Sequence, residues 1–382
     1  MEVTQRIVIV GAGSGGTMLA NNLVKALREQ QRDDVEVVLV GNGEDHLYQP
    51  GLLYVALDLE LPAHFHRRQR RLLLPGVHLT NIPAARIDRK EQGVQLADGS
   101  HLAYDYLVIA TGSHPDLDEI SGFRQGAYSF YTEPEALRLR DALRDFRQGR
   151  ILITIGIPHK CPVAPLEFTL LLDDVLRRQE RRKEIEILYT YPIARLHSLE
   201  PVAQWAQEQF EQRDIHSEIF VNMEEIDANE QVVHTMEGID YSYDLLVGIP
   251  PHKGAAVIRN SPDLGDPDGW VPTDRKTLQM KGDEHIFVLG DATDLPISKA
   301  GSTTHYEVAV LLGNLLRALD GSRATQTYNG KAFCFIEADE AQATYITFDY
   351  DHPPQPVAAS PLLHWFKAAY NETYWLSLRG VL

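Results

Sequence analysis

The sequence predicts an α/β fold of two nested Rossmann-like domains, followed by a C-terminal hairpin and an amphipathic helix region. A strand, a glycine-rich turn, a helix and a second strand follow one another over residues 6–40. A second such unit begins with the β-branched run at 151–155, and the Tyr-Asp-x-Leu-Val pattern of 104–108 returns at 243–247. A strand–turn–helix pattern that occurs twice indicates two nucleotide-binding units, the second inserted into the first.

The composition is that of a soluble globular protein. Its 382 residues suffice for two domains, and its apolar (44%) and charged (24%) fractions are ordinary. The net charge of −18 disfavours nucleic acid as a partner. No apolar run reaches the ~18 residues of a spanning helix and no export signal is visible, so a cytoplasmic protein is expected. Two cysteines provide no disulfide framework, and no metal site is expected.

The first unit carries a turn typical of dinucleotide binding. The pattern G-x-G-x-x-G stands between a strand at 6–10 and a helix predicted to end near residue 30. Its glycines permit close backbone approach, and the helix N-terminus offers N–H groups to a pyrophosphate. The acidic residue usual after the next strand is missing, so Asn42 or Glu44 would have to bind the ribose. The candidate cofactor-binding residues of this unit are Gly11, Gly13, Ser14, Gly16, Asn42 and Pro50.

Two segments separate this turn from the next strand of the unit. Residues 64–71 hold two histidines and four arginines, and they are predicted to form a solvated helix face. Residues 82–102 alternate in polarity and turn at Asp98 and Gly99, which predicts a β-hairpin.

Two later strands end in residues suited to a flavin. The strand at 104–109 ends in Ala-Thr-Gly, whose small side chains let the backbone approach a cofactor. The strand at 286–289 ends in Gly-Asp, and an aspartate there can accept hydrogen bonds from ribityl hydroxyls. A helix that starts near residue 301 would direct its positive end at the flavin ring, which becomes anionic on reduction. The candidate residues at these ends are Ala110, Thr111, Gly112, Gly290, Asp291, Lys299, Ala300 and Gly301.

These motifs occur in an order that resembles the two-dinucleotide-binding-domain flavoproteins, the pyridine nucleotide–disulfide oxidoreductase superfamily, over about residues 6–320. The resemblance implies FAD as the cofactor. It assigns 1–112 and 249–320 to the FAD-binding domain, and 113–248 to a second Rossmann-like domain with a degenerate nucleotide site. Residues 321–382 would form a C-terminal region that contacts quinone and membrane.

The nucleotide turn of the second unit departs from the family pattern. Its strand ends at Gly156, but Ile-Pro-His-Lys-Cys-Pro follows at 157–162 in place of further glycines. A turn without these glycines disfavours pyridine nucleotide binding. Cys161 stands where the phosphates would lie. Because it follows Lys160 and precedes a helix, its pKa is expected to be lowered.

Four segments resemble one branch of the superfamily, the sulfide:quinone oxidoreductases and flavocytochrome c sulfide dehydrogenase flavoproteins. They are 160–165 (KCPVAP), 269–274 (GWVPTD), 299–301 (KAG) and 333–335 (FCF). The resemblance implies that Cys161 and Cys334 flank the flavin and oxidise sulfide to zero-valent sulfur or polysulfide, with two electrons passing through FAD to a membrane quinone. The third cysteine typical of the quinone-reducing branch is absent from 128–135. The alternative is that the two thiols are unrelated buried residues.

Further catalytic and quinone-binding candidates lie near these motifs. Glu167, on the helix after Cys161, is a candidate base for hydrosulfide. His197 follows a strand of the second unit and is a candidate for the quinone or sulfide path. Lys299 would stabilise the reduced flavin or protonate the quinone. The aromatic residues expected at a quinone are Phe333, Phe335, Tyr345 and Phe348, which would otherwise form the core of the hairpin.

The C-terminal segment carries aromatic and aliphatic residues on a helical pattern over 362–378. It resembles the amphipathic helices by which this family reaches quinone in the bilayer. The resemblance implies a peripheral protein on the cytoplasmic side of the cell membrane. The alternative is a helix packed on its own domain or at a homo-oligomer interface.

The sequence therefore predicts an FAD-dependent sulfide:quinone oxidoreductase. Two other functions stay open, namely a NAD(P)H-dependent flavin reductase of the same superfamily and a non-catalytic flavin redox sensor.

Overall fold

A computed structural model describes residues 4–381 of the chain. It contains two parallel-sheet units, small antiparallel sheets, and a C-terminal hairpin and helix. The predicted α/β fold with two Rossmann-like units is confirmed.

The described helices and strands follow each other along the chain. The helices are α1 (Ser14–Glu29), α2 (Leu52–Ala56), α3 (Gln69–Leu72), α4 (Phe123–Gly126), α5 (Glu133–Asp145), α6 (Ala164–Arg178), α7 (Glu200–Arg213), α8 (Ala256–Arg259), α9 (Gly301–Leu319) and α10 (Pro361–Leu378). The strands up to residue 115 are β1 (Gln5–Val10), β2 (Val35–Val40), β3 (Asp45–Leu47), β4 (His66–Arg68), β5 (Val77–Thr80), β6 (Ala84–Asp88), β7 (Gly93–Leu96), β8 (His101–Ala103), β9 (Tyr106–Ile109) and β10 (Ser113–Pro115). The later strands are β11 (Gly149–Ile155), β12 (Ile185–Tyr191), β13 (His216–Ile219), β14 (Met223–Asp227), β15 (Val232–Thr235), β16 (Asp240–Ser242), β17 (Leu245–Ile249), β18 (His252–Gly254), β19 (Ile286–Val288), β20 (Ala332–Glu337) and β21 (Ala343–Phe348).

The first unit is built on a parallel sheet in the order β19-β9-β1-β2-β5. Ile7 of β1 pairs with Val37 on one side and with Tyr106 on the other. The last four residues of β1 and of β2 are all buried, as expected for a parallel sheet covered on both faces. Because parallel strands end at one edge, the turns after β1, β9 and β19 converge there.

The second unit repeats this plan with a parallel sheet in the order β13-β12-β11-β17. Each unit also carries a three-stranded antiparallel sheet, β6-β7-β8 in the first and β14-β15-β16 in the second. The chain crosses between the units at β10 and β18, which pair antiparallel with Ser113 opposite Gly254. The domain boundaries predicted at 112/113 and 248/249 lie next to this pair of strands.

Two local predictions for the first unit differ from the structure. The turn expected at Asp98 and Gly99 is present between β7 and β8, but residues 82–102 contain a further strand, because a second turn separates β6 from β7. The single helix expected over 64–71 is replaced by β4 and α3, although its four arginines are exposed.

The C-terminal segment packs against both units. In the hairpin, Cys334 of β20 lies opposite Ile346 of β21. The core of the second unit takes in Cys334 together with Leu166 of α6. The core of the first unit takes in Tyr374 from α10. α10 begins at Pro361, where Ser360 Oγ accepts a hydrogen bond from Leu363 N, a typical helix cap.

Candidate active site

A cavity of about 630 Å³ lies where the two units and the C-terminal segment meet. Its wall consists of the glycine loop, the turns after β9, β11 and β19, and one side of α10. The predicted site residues in this wall are Gly11, Gly13, Ser14, Asn42, Pro50, Ala110, Thr111, Gly112, Cys161, Glu167, Gly290, Asp291, Lys299, Ala300, Gly301, Phe333, Cys334 and Phe335. The predicted residues outside the wall are Gly16, His197, Tyr345 and Phe348.

The glycine loop leaves room for a cofactor. Gly11 has φ +113°, and a Cβ there would lie 2.3 Å from Ala110 O. A Cβ on Gly16 would lie 1.9 Å from Gly11 O, so these two positions require glycine for close packing. Gly13 faces open space, with no atom within 4 Å of its ideal Cβ. The loop therefore has the shape that a pyrophosphate needs at the start of α1.

Polar groups in the wall fit the rest of a dinucleotide flavin. Thr111 Oγ1 is buried without a hydrogen-bond partner among the described residues. Asp291 accepts a hydrogen bond from Ser113 Oγ at 3.0 Å. Asn42 lines the cavity, whereas Glu44 pairs with Arg68 at the surface. Of the two residues expected at the ribose, Asn42 therefore lies in the cavity wall and Glu44 lies outside it.

A buried carboxyl group beneath the Gly290 turn was not singled out from the sequence. Glu307 Oε2 accepts a hydrogen bond from Gly290 N at 2.7 Å, while Oε1 has no partner among residues 4–381. Burial raises the pKa of Glu307 to about 7. The carboxyl group of Glu307 holds this turn, and the charge of Asp291 adds to the rise of its pKa.

Lys299 ties the turn after β19 together. Its Nζ donates to Asp291 O at 3.0 Å and to Thr293 O at 2.7 Å, and it lies 4.1 Å from the centroid of the Trp270 ring. Burial lowers the pKa of Lys299. The carbonyl oxygen of Lys299 accepts a hydrogen bond from Cys161 N at 2.8 Å, which joins the thiol turn to this edge of the cavity.

Both cysteines are free thiols in the wall of this cavity. Cys161 lies between β11 and α6 with φ +50°, a conformation that few non-glycine residues adopt. Cys334 is buried in β20. The fold thus brings together the two thiols that the sequence placed far apart.

The pKa of Cys161 is raised, which contradicts the sequence-based expectation. Burial and then the charge of Glu167 raise the pKa of Cys161 to about 12. Burial and then the charge of Cys161 raise the pKa of Cys334. Lys160 directs its Nζ to Gln49 Oε1 at 2.8 Å and to Ser113 O at 3.2 Å. Both thiols are therefore protonated at neutral pH, and a base is needed before they can react.

A buried ion pair provides a candidate base. Glu167 is buried, and its carboxylate accepts a hydrogen bond from Lys367 Nζ of α10. Tyr54 OH also lies 3.5 Å from Glu167 Oε1. Burial raises the pKa of Glu167. Burial lowers the pKa of Lys367, but the charges of Glu167, Tyr54 and Glu337 outweigh this effect, so that the pKa of Lys367 is raised.

An aromatic group forms the wall on the side of the hairpin. Phe333 and Phe335 line the cavity, and the ring of Tyr345 lies behind them at 5.9 Å and 5.2 Å. Phe348 is buried in the core. Tyr370 of α10 packs with its ring centroid 5.2 Å from that of Phe333 and also lines the cavity, a contact that was not predicted from the sequence.

His197 lies away from the cavity wall. It is fully buried, and its Nδ1 accepts a hydrogen bond from Leu199 N at 3.0 Å. Its Nε2 has no partner in the described chain. Burial and then the charge of His159 lower the pKa of His197 to about 3. A neutral histidine that caps its own loop accounts for these contacts.

The sequence pattern described as "Pyridine nucleotide-disulphide oxidoreductase" matches residues 5–311. The chain belongs to this family. As a member of the pyridine nucleotide-disulphide oxidoreductase family it is a flavoprotein oxidoreductase, which confirms that part of the prediction.

Curated members of this family resemble the chain over most of its length. The mitochondrial sulfide:quinone oxidoreductase of Dictyostelium discoideum is 27% identical and covers 90% of this chain and 78% of its own. The mitochondrial sulfide:quinone oxidoreductase of Mus musculus is 25% identical, and the match covers 91% of this chain and 79% of the mouse protein. The predicted resemblance to the sulfide:quinone oxidoreductase branch is confirmed.

A solved structure shares the whole fold. The sulfide:quinone oxidoreductase of Aquifex aeolicus aligns with a TM-score of 0.88 at 20% identity, covering 99% of this chain and 92% of that one.

Within residues 4–381, no helix combines the length and the apolar character needed to cross a membrane.

Proposed function

We propose that the protein is an FAD-dependent sulfide:quinone oxidoreductase. The observation that carries this proposal is the presence of two free thiols, Cys161 and Cys334, in one cavity wall with the glycine loop. The similarity to sulfide:quinone oxidoreductases supports the same pair of substrates.

The cavity residues would hold FAD along its length. The glycine loop with Ser14 would bind the pyrophosphate, Asn42 the ribose of the adenosine, and Asp291 the ribityl chain. FAD bound there supplies a carrier that accepts two electrons from sulfur and gives two to quinone.

The cysteine pair would hold sulfur between turnovers. The two free thiols would first form a Cys161–Cys334 disulfide, with two electrons going to the bound flavin and two protons to a base. Hydrosulfide would then attack one sulfur of this disulfide, so that a new S–S bond forms as the bond between the cysteines breaks. This leaves one persulfide and one thiolate. Loss of two electrons and one proton then joins them through the added sulfur atom. Repetition lengthens the bridge, and sulfur leaves as zero-valent sulfur or polysulfide, here without a third cysteine to receive it.

Glu167 would act as the base of the site. Because burial keeps both thiols protonated, a proton acceptor is needed when they are oxidised to the disulfide and when the persulfide loses its proton. Two observations support this role: Glu167 lines the same cavity as both thiols, and its charge raises the pKa of each thiol. Lys367, in contact with it, would hold the carboxylate in place and balance its charge.

The hairpin and α10 would form the quinone side. Phe333 and Phe335 offer ring faces to a quinone, with Tyr345 as support. Leu362, Trp365 and Phe366 expose 62%, 71% and 53% of their surface at the start of α10. Such an apolar face would place the protein peripherally on a membrane. The side of the membrane that we propose, the cytoplasmic one, follows from the sequence-based expectation alone.

Anaerobic mixing tests this function. We expect sulfide to bleach the oxidised flavin band of the purified protein and NADH to leave it unchanged, after which a soluble quinone should restore it. Bleaching by NADH but not by sulfide would identify a NAD(P)H-dependent flavin reductase. Bleaching by neither reagent would favour a flavin redox sensor.

A further inference from the structure

Buried polar side chains lead from the cavity to the protein surface. Glu167 and Lys367 line the cavity, and Glu337 Oε1 lies behind them, 3.7 Å from Lys367 Nζ. His364 Nδ1 lies 3.0 Å from the other oxygen of Glu337. The side chains of Glu167, Lys367 and Glu337 are 5%, 9% and 3% exposed, whereas that of His364 is 30% exposed. His364 is therefore the point where this chain of contacts reaches solvent.

The cluster is continuous and well anchored. Tyr54 OH lies 3.5 Å from Glu167 Oε1 and 3.3 Å from Glu337 Oε1, so it bridges the two carboxylates. Its members come from α2, α6, β20 and α10, the elements that meet at the cavity. The carboxyl groups of Glu167 and Glu337 thus contact the same lysine and the same tyrosine hydroxyl. Such an unbroken row of polar contacts is the arrangement that a proton path needs.

We propose that Glu337 and His364 conduct protons from solvent to Glu167 at the cavity wall. The proposal rests on the function proposed above, in which hydrosulfide, one proton and a quinone give zero-valent sulfur and a quinol. Two electrons leave the sulfur and enter the quinone, whose two oxygens each gain a proton. Hydrosulfide supplies one of these protons, so the second must enter from solvent. Histidine suits the entrance because it can take a proton on one ring nitrogen and release one from the other.

The position of His364 explains why the protein would use a dedicated path. His364 lies on the first turn of α10, next to the exposed Trp365. If the exposed apolar face of α10 (Leu362, Trp365 and Phe366) lies against lipid, the quinone side of the cavity is closed to bulk water. The cluster then provides a polar route beside the apolar face.

The test separates the proton step from sulfide chemistry. The holoprotein is bound to lipid vesicles, its flavin is reduced photochemically without sulfide, and it is mixed anaerobically with decylubiquinone while a pH-indicator dye follows proton uptake. We expect His364→Ala to slow flavin reoxidation and proton uptake by about ten-fold or more, and added imidazole to restore both in part. His352→Ala is the control, because His352 makes a similar contact to Asp349 at 2.8 Å but is 81% exposed outside this cluster.

Glu337→Gln tests the next, buried residue of the proposed path. It should slow the same two signals without rescue by imidazole, because its site is closed to solvent. Thermal unfolding of each variant shows whether the fold is kept. If Glu337→Gln does not fold, the result for His364→Ala alone tests the path, because the side chain of His364 is 30% exposed. Reoxidation by His364→Ala at the parent rate, or a loss that imidazole does not relieve, would overturn the path. Failure of sulfide to bleach the parent protein would instead remove the sulfide half of the proposed function.

Discussion

The hydroxyl of Tyr374 in α10 lies 2.7 Å from Ser14 Oγ in the glycine loop. The same hydroxyl lies 2.6 Å from His46 Nε2, and His46 Nδ1 lies 3.0 Å from Gln69 Oε1. Tyr374 and His46 are both buried. The C-terminal helix is therefore bonded to the glycine loop, in addition to its contact with Glu167.

Tyr374→Phe should weaken both the fold and the retention of flavin. The change leaves Nε2 of the buried His46 without a partner, while Nδ1 keeps its contact with Gln69, and an unpaired buried nitrogen costs about 1–3 kcal/mol of the free energy of unfolding. Thermal unfolding and the rate of flavin release measure the two effects. Tyr128→Phe is the control, since Tyr128 lies in the second unit beneath Arg138. Equal unfolding and flavin release in the two variants would mean that α10 does not support the loop.

Cys161→Ser and Cys334→Ser should each abolish bleaching of the flavin by sulfide while flavin stays bound. The reason is that each proposed step needs both sulfur atoms. The double variant should be no worse than either single one, because the two residues act as a unit. Stopped-flow absorbance measures the rates, and a single variant that keeps the parent rate would exclude that cysteine from the mechanism.

Glu167→Gln should speed alkylation of Cys161 by iodoacetamide. The charge of Glu167 raises the pKa of Cys161, so its removal lowers that pKa and increases the thiolate fraction at pH 8. Each unit of pKa corresponds to about a ten-fold change in rate. The measurement uses a Cys334→Ser background and mass spectrometry. Glu307→Gln, which removes a buried carboxyl group elsewhere, should leave the rate unchanged, and a slower reaction in Glu167→Gln would contradict the assignment.

Glu307→Gln should stabilise the protein above neutral pH and have little effect at pH 5. Burial raises the pKa of Glu307 from 4.5 to about 7, so the folded state binds more protons than the unfolded state between these values. Stability is therefore lost as the pH rises from about 4.5 to 7, by up to about 3 kcal/mol. Glutamine keeps an acceptor for Gly290 N and does not titrate. Urea unfolding at pH 5 and pH 8 measures the difference, and an equal effect at both values would show that Glu307 is ionised in the fold.

Trp365→Glu should reduce binding to lipid vesicles without loss of soluble activity. Trp365 lies on the exposed apolar face of α10, where a charge opposes entry into the lipid interface. Met236→Glu is a matched control, because Met236 is equally exposed, at 71%, but lies in the second unit. Vesicle co-sedimentation measures binding. Equal loss in both variants would mean that charge alone, and not the α10 face, determines the association.

The elements with strong local patterns were predictable from the sequence. The glycine turn and the β-branched runs predicted β1, α1 and β11 because the chemistry of these segments is local. The extra strand within 82–102 was missed because its turn has no glycine or proline at its start. The side chain of Asp88 stabilises this turn between β6 and β7, because its Oδ1 accepts hydrogen bonds from the N–H groups of Lys90 and Glu91.

Contacts between distant residues account for most of what the sequence did not show at the site. Glu167 had the appearance of an ordinary helix carboxylate, since its partner Lys367 lies 200 positions later. Lys160 is next to Cys161 in sequence, yet its side chain extends to Gln49 and leaves the thiol to apolar neighbours. Sequence adjacency predicted the wrong direction for the pKa of Cys161 because burial dominates it.

The contact between Ser14 and Tyr374 has a consequence for the order in which the molecule is assembled, because it joins residues 360 positions apart. Contacts of such separation close after the local units that they join, since closing a long loop costs chain entropy. The two sheets can therefore form while the cleft between them is still open. We expect flavin to enter at that stage and α10 to close the cleft afterwards, so that cofactor supply during biosynthesis decides how completely the molecule matures.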